Sequence, residues 1–261
     1  MEFDPGPPPA IADVFARVPD YSQHRTDFWF DWGPIYYRGR LDGSARLLCV
    51  ASDPGATERI AGRTLVGDAG QRVQGFLAKL GLTHSYLCLN AFVYGMHPSH
   101  FFEAPGILQE QEQTDWRNEL FDKSTHITST LQAVVAFGAN AKIAVDLWTG
   151  KGDIPVFDVH HPSYPDEDVL LPDWRGVMAQ LRDLITPDPD GDDSGPNYGA
   201  SFDETDYAPI PRKDLPFGVP AFLGDDAWRR TGHPRGNTSV ERPADDLIHT
   251  LIWHSPATSD D

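Results

Sequence analysis

The sequence predicts an α/β fold. It is a three-layer sandwich in which a four-stranded, mainly parallel sheet is flanked by helices, with an irregular C-terminal extension beyond it. Three observations predict it. Short apolar runs of strand length recur between Arg46 and Val159, amphipathic helical segments stand between and after them, and Gly, Pro or Asp closes most of the runs. Strands separated by helices pair in parallel, with the helices covering both faces of the sheet.

Arg46–Ala51 (RLLCVA) is a continuous apolar run that ends ahead of Asp53-Pro54-Gly55, the pattern of a strand buried on both faces. Ala69–Leu80 follows as an amphipathic helix, with Val73, Phe76, Leu77 and Leu80 at helical spacing and Gly81 as its stop. Ser85–Val93 (SYLCLNAFV) is the second strand. Asp115–Ser124 reads as a helix, Ala133–Phe137 (AVVAF) as the third strand, and Ala139–Trp148 as the helix after it. Ile154–Val159 is the fourth strand. Pro172–Ile185 is the last helix, with Val177, Leu181 and Leu184 on one face. These elements make residues 1–186 the α/β body. Residues 187–200 are an acidic Pro/Gly/Asp linker. Residues 201–261 are too rich in Phe, Trp, Leu and Ile for a solvated tail and are expected to pack on the body.

Charge and composition narrow the function. The 261-residue chain has a net charge of −18, so it lacks the basic footprint of a protein that holds nucleic acid by bulk electrostatics. One stretch departs from this. Between Arg40 and Lys79, six basic residues (Arg40, Arg46, Arg59, Arg63, Arg72, Lys79) face only Asp42, Asp53, Glu58 and Asp68. No apolar run reaches the ~18 residues of a membrane span, and the N-terminal segment is not that of a secretory signal, so a cytoplasmic location is expected. Cys49 and Cys88 each lie inside a strand-like apolar run, as inert core thiols do.

Ligands of such sheets bind outside the carboxyl ends of the strands, which directs attention to the loops after Ala51, Leu89, Phe137 and Val159. Asp53 lies in the first of these. Taken alone, Asp-Pro-Gly is an ordinary turn. Its position at a carboxyl end, ahead of the basic segment, makes Asp53 a candidate for chemistry. His161 lies in the last, in His160-His161-Pro162-Ser163-Tyr164. Adjacent residues of an extended chain point to opposite sides, so one of the two histidines is expected to be structural. A second His-Pro-Ser at His97 follows a polar loop start and reads as structural. Asn90, inside an apolar run, either holds backbone groups of a neighbouring loop or aims its amide at a ligand edge. His-Glu-x-x-His, Gly-x-Gly-x-x-Gly and Gly-x-Ser-x-Gly patterns are absent, which leaves little room for a zinc hydrolase, a Rossmann enzyme or a serine hydrolase.

In order and spacing these pieces resemble the uracil-DNA glycosylase superfamily over roughly residues 44–185. Ala51-Ser52-Asp53-Pro54-Gly55 resembles its first motif, and Gly62–Gly70 (GRTLVGDAG) the pocket loop and helix start of its iron-sulfur branch. Leu87–Ala91 (LCLNA) is similar to the strand with the base-reading Asn, Ala136–Ala141 (AFGANA) to the third strand and its helix, and His161-Pro162-Ser163 to the second catalytic motif.

The resemblance implies hydrolysis of the N-glycosidic bond of a flipped uracil or other altered pyrimidine in DNA, by a monomer, in base-excision repair. It gives Asp53 the orienting of a water and stabilisation of the sugar cation, and His161 a hydrogen bond to the leaving base. Asn90 would read the base edge, with Leu65 and Gly55 as pocket walls. Ser163, Arg63 and the backbone near Gly70 would hold phosphates, and Tyr164 would act as a wedge. The cluster cysteines of the iron-sulfur branch are missing, so no metal or other cofactor is implied. Leu65 stands where the family usually offers a stacking Phe, and Gly55 where the uracil-specific enzymes carry a Tyr that excludes C5 substituents. Both differences point to an alternative substrate, a bulky C5-modified base in foreign (phage) DNA and hence antiviral defence. A catalytically silent module that binds DNA or protein is the other alternative.

Overall fold

The computed structural model describes residues 3–125 and 130–219, with two short paired strands at Val240–Glu241 and Ile252–Trp253. In chain order, α1 (Pro9–Ala16), β1 (Phe28–Trp29) and β2 (Tyr37–Gly39) precede β3 (Leu47–Ala51). Then come α2 (Ala56–Ala61), α3 (Asp68–Lys79), β4 (Tyr86–Asn90), β5 (Gly95–Met96), α4 (Ala104–Leu108) and α5 (Gln111–Thr125). The series ends with β6 (Ala133–Phe137), α6 (Ala139–Asp146), β7 (Val156–Val159) and α7 (Glu167–Leu184).

The central sheet has five strands rather than the expected four, in the order β2-β4-β3-β6-β7. The four predicted strands pair in parallel, and β2 adds to β4 as an antiparallel edge. Its three residues carry Arg38 at the centre, so no apolar pattern announces it. Arg38 is fully buried all the same, because Asp214 (3.2 Å) and the Gln74 amide oxygen (2.6 Å) accept from its guanidinium. A partner 176 residues away in the chain is invisible to local reading.

Strand alternation splits the core into two layers. Leu48, Val50, Leu87, Leu89, Val134 and Ala136 face α1, α4, α5 and α6. Leu47, Cys49, Ala51, Tyr86, Cys88, Ala133, Val135 and Phe137 face α3 and α7. Both faces of β3, β4 and β6 are therefore covered, which is why these strands are apolar throughout. The predicted boundaries shift by a few residues. β4 stops at Asn90 because the chain turns there, with the N–H groups of Ala91 and Phe92 donating to the carbonyls of Ala51 and Ser52. Helix α7 begins at Glu167, not at Pro172. Asp166 caps it by accepting from the Asp168 N–H, and Pro172 sits inside the helix.

Residues 187–200, acidic enough to read as a solvated linker, are tied to the body. Asp188 is 2% exposed and accepts from the backbone N–H groups of Thr83, His84 and Ser85. Arg46 binds the carbonyls of Thr186 and Pro187, each at 2.7 Å. Burial opposes the Asp188 charge, but the Ser85 hydroxyl and those N–H groups outweigh it and hold its carboxyl down at about 2. Farther on, Ile210, Asp206, Asp214 and Leu215 are buried. Apart from the two short strands, the part of the 201–261 extension beyond residue 219 lies outside the described residues.

Among the described residues no helix is long and apolar enough to cross a membrane.

Candidate active site

Register brings the carboxyl-end loops together. Val50 pairs with Ala136, and Phe137 with Val159, so β6 lies between β3 and β7. Asp53, two residues past β3, and His161, two past β7, therefore flank the end of β6. A cavity of about 650 Å³ lies there, and Asp53, Gly55, Leu65, His161 and Ser163 all line it. Ser52, Glu58, Ala69, Phe101, Phe137, Gly138, Ala139 and Asn140 complete the lining.

Each wall has a local cause. The short β1–β5 ribbon runs beside the Asp53 loop, and the Met96 N–H donates to Asp53 Oδ2 at 2.8 Å. This fixes the carboxylate from outside the strand that carries it. The Leu65 loop is held by Glu58, whose Oε1 accepts from the N–H groups of Val66 (2.9 Å) and Gly67 (3.2 Å). Leu65 itself has a φ of 53°, the left-handed region that a branched side chain avoids. Such strain gathers at ligand sites, where the surrounding structure enforces it.

His160 and His161 divide as alternation requires. The His160 ring binds Asp173 on α7 (2.9 Å), its carbonyl accepts from Trp174 Nε1, and it has no part in the cavity wall. His161 faces the cavity. Its Nδ1 accepts from the Ser163 N–H at 3.2 Å, which leaves the ring proton on Nε2. Although one side of the ring opens to the cavity, burial by the surrounding protein pushes the imidazole down to about 4. The side chain is therefore a neutral Nε2–H donor at neutral pH.

Asn90 does not line the cavity. It closes β4 beside β3, in register with Ala51, on the face that carries Tyr86 and Cys88. The loop leading to Leu65 passes over this strand, with the Thr64 hydroxyl donating to the Cys88 carbonyl at 3.1 Å. Asn90 is 5% exposed, and neither amide atom has a hydrogen-bond partner among the described residues. A buried amide left so is costly unless a ligand or water meets it.

Three expected contacts lie elsewhere. Arg63 Nε binds Asp4 at 2.7 Å and its guanidinium lies over the Tyr37 ring, so it is a fold contact away from the cavity. Gly70 is buried under the Leu65 loop, where a β-carbon would overlap the Leu65 carbonyl, and Ala69 takes the lining position instead. Tyr164 is exposed beside His160, next to the lining residue Ser163 but not in the wall. His97 bonds Ser99 within its own turn (2.6 Å), the structural role expected of it.

Sequence reading gave no role to Asn140, Glu58 or Phe101. Asn140 donates to the Ser52 hydroxyl at 3.0 Å and so links the β6 and β3 loops. Its position just after Gly138, at a carboxyl end, was a readable signal, as was the Phe101-Phe102 pair in a polar turn. Glu58 had none, since its partners are N–H groups eight and nine residues on.

The cavity thus joins a carboxylate, a neutral imidazole donor and a strained apolar loop, with a buried amide at the adjoining strand end. No model of a protein family matches this chain, and no curated protein does.

Proposed function

We propose that the protein is a DNA glycosylase, hydrolysing the N-glycosidic bond of an altered pyrimidine drawn out of the strand into this cavity. The observation that carries the reading is that Asp53 and a neutral His161 line the same cavity. In glycoside cleavage of this kind the C1′–N bond breaks with its electron pair moving to the base, leaving positive charge on the sugar. The Asp53 carboxylate stabilises that charge and accepts the proton of the water whose oxygen bonds to C1′. His161 donates its Nε2 hydrogen bond to the base as negative charge develops. A neutral donor suits this role, since it needs no proton from solvent at pH 7. The unpartnered amide of Asn90, at the strand end behind the cavity wall, is the donor and acceptor available to a base edge that reaches past the lining.

A second reading, excision of a bulky C5-modified base, is favoured by two of the cavity's walls. Gly55 and Leu65 line it. Gly55 has a φ of −86°, so its backbone accepts any side chain. The test is one assay on oligonucleotides carrying uracil, mismatched thymine, hypoxanthine or C5-substituted cytosines, read as alkali-labile abasic sites. Abasic sites at one of the pyrimidines support the reading, whereas abasic sites at hypoxanthine alone keep the glycosylase and overturn its pyrimidine specificity. None at any of these bases, from protein shown to be folded, contradicts it. Preference for the C5-substituted bases, abolished by Gly55→Tyr, supports the second reading over the first.

A further inference from the structure

The mouth of the cavity carries chemistry that Asp53 and His161 do not use. Among the described residues four aromatic side chains are exposed, Phe101 (45%), Phe102 (73%), Tyr164 (38%) and Phe217. Phe217 packs edge-on against Phe3. The other three lie in or next to residues of the cavity wall. Phe101 lines the cavity, Phe102 follows it in the chain, and Tyr164 follows the lining residue Ser163.

These rings are braced rather than loose. Phe101 and Phe102 sit in a short 3-10 turn, Pro98–Glu103. The His100 ring lies nearly parallel to Phe102 and bonds Asp27 at 2.7 Å, and the His97 N–H donates to the Asp27 carbonyl. Tyr164 leans on His160, which Asp173 holds. Exposed aromatic rings held in place bind flat partners with little loss of side-chain freedom.

Charge selects the kind of flat partner. Arg63 and Arg72, the basic residues flanking the Leu65–Ala69 wall, are engaged within the fold. Arg63 binds Asp4, and Arg72 binds the Pro162 carbonyl and lies over Phe202. With a net charge of −18 as well, the surface offers poor electrostatic grip on a duplex. Unpaired bases add to whatever grip there is an open face for stacking, which a duplex does not present to these rings.

We propose that Phe101, Phe102 and Tyr164 form a stacking platform for single-stranded DNA, so that the cavity takes its base from an unpaired strand. The choice of DNA rests on the glycosylase reading; the preference for exposed flat rings does not.

The test measures binding of the full chain to one unmodified oligonucleotide, single-stranded and as a duplex, by fluorescence anisotropy over a salt series. The single strand is expected to bind at least tenfold tighter. Its salt dependence should be shallow, with a log–log slope of magnitude below about 2, as for two or three phosphates. Phe102→Ala and Tyr164→Ala should each weaken it about tenfold, with Phe217→Ala, also exposed, unchanged. Equal or tighter duplex binding, or binding indifferent to both platform variants, overturns the proposal. Excision assayed in parallel separates the two ideas. Abasic product from duplex alone removes the platform and keeps the glycosylase, whereas single-strand binding that depends on Phe102, without excision of any base, keeps the platform and removes the glycosylase.

Discussion

A β-carbon on Gly138 would sit 3.0 Å from the β-carbon of His161, a contact tighter than side chains ordinarily make, so glycine at 138 lets the His161 loop lie this close to β6 without strain. Gly138 also has a φ of 92° and donates its N–H to the Val159 carbonyl at 2.7 Å, which ties the two strand ends together. Gly138→Ala combines backbone strain of about 1–3 kcal/mol with displacement of His161. Turnover should fall at least tenfold, with a lower melting temperature. Unchanged turnover would show that the His161 position is not set by this contact.

Asn90 should trade stability against activity. Asn90→Leu keeps the branched shape, with somewhat more bulk, and removes two buried polar atoms that have no partner among the described residues. The melting temperature should rise, by the equivalent of about 1 kcal/mol, while excision falls by about 10²-fold. A drop in melting temperature would reveal that the amide holds the fold.

The pH dependence follows from His161. Its imidazole titrates at about 4 in the folded protein, below the usual 6.5, so it stays neutral on acidification until the pH nears 4. Loss of activity between pH 7 and 5 therefore cannot come from His161, and NMR of its ring should show no protonation there. Stability has the opposite sensitivity. As the pH falls from about 6.5 to 4 the unfolded chain binds a proton that the folded one does not, so folding weakens across that window. His161→Gln should flatten that part of the stability curve. An imidazole seen to protonate near 6.5 would contradict the account.

Asp188 acts lower on the scale. Its carboxyl is held at about 2, so its stabilising effect is complete above the ordinary carboxylate range and is lost as the pH falls from about 4 to 2. Asp188→Asn keeps the shape but weakens three N–H contacts and the Arg46 pair at 3.3 Å. Urea denaturation at pH 7 should show a loss of about 1–3 kcal/mol, narrowing as the pH approaches 2. A loss independent of pH would mean that charge is not what Asp188 contributes.

Much of this was legible in the sequence, for a physical reason. Strands β3, β4 and β6 are buried on both faces, so each reads as an unbroken apolar run, and the carboxyl-end rule then directs attention to four loops, those of Asp53 and His161 among them. What escaped depends on distant partners. Arg38 is accommodated in an edge strand by Asp214 and Gln74, both distant in the chain, and Asp188 turns an acidic stretch into a packed one by accepting from the Thr83–Ser85 backbone. Arg63 lay in the basic stretch and in the loop motif, yet its partner Asp4 is 59 residues away. The cavity wall likewise needed three dimensions, since Phe101 reaches it from the 3-10 turn after β5 and Asn140 from the first turn of α6.

On the proposed glycosylase reading, Asp53 carries the chemistry on a base held in the cavity it shares with His161. The most direct measurement is the single-turnover excision rate of Asp53→Asn beside its affinity for the same oligonucleotide. The side chain keeps its size and its oxygen acceptor for the Met96 N–H, and loses its charge and basicity. The rate should fall by about 10²-fold or more while affinity stays within about threefold, and His161→Ala should cost less. An unchanged rate in Asp53→Asn, on whichever base the wild type removes, would contradict the account.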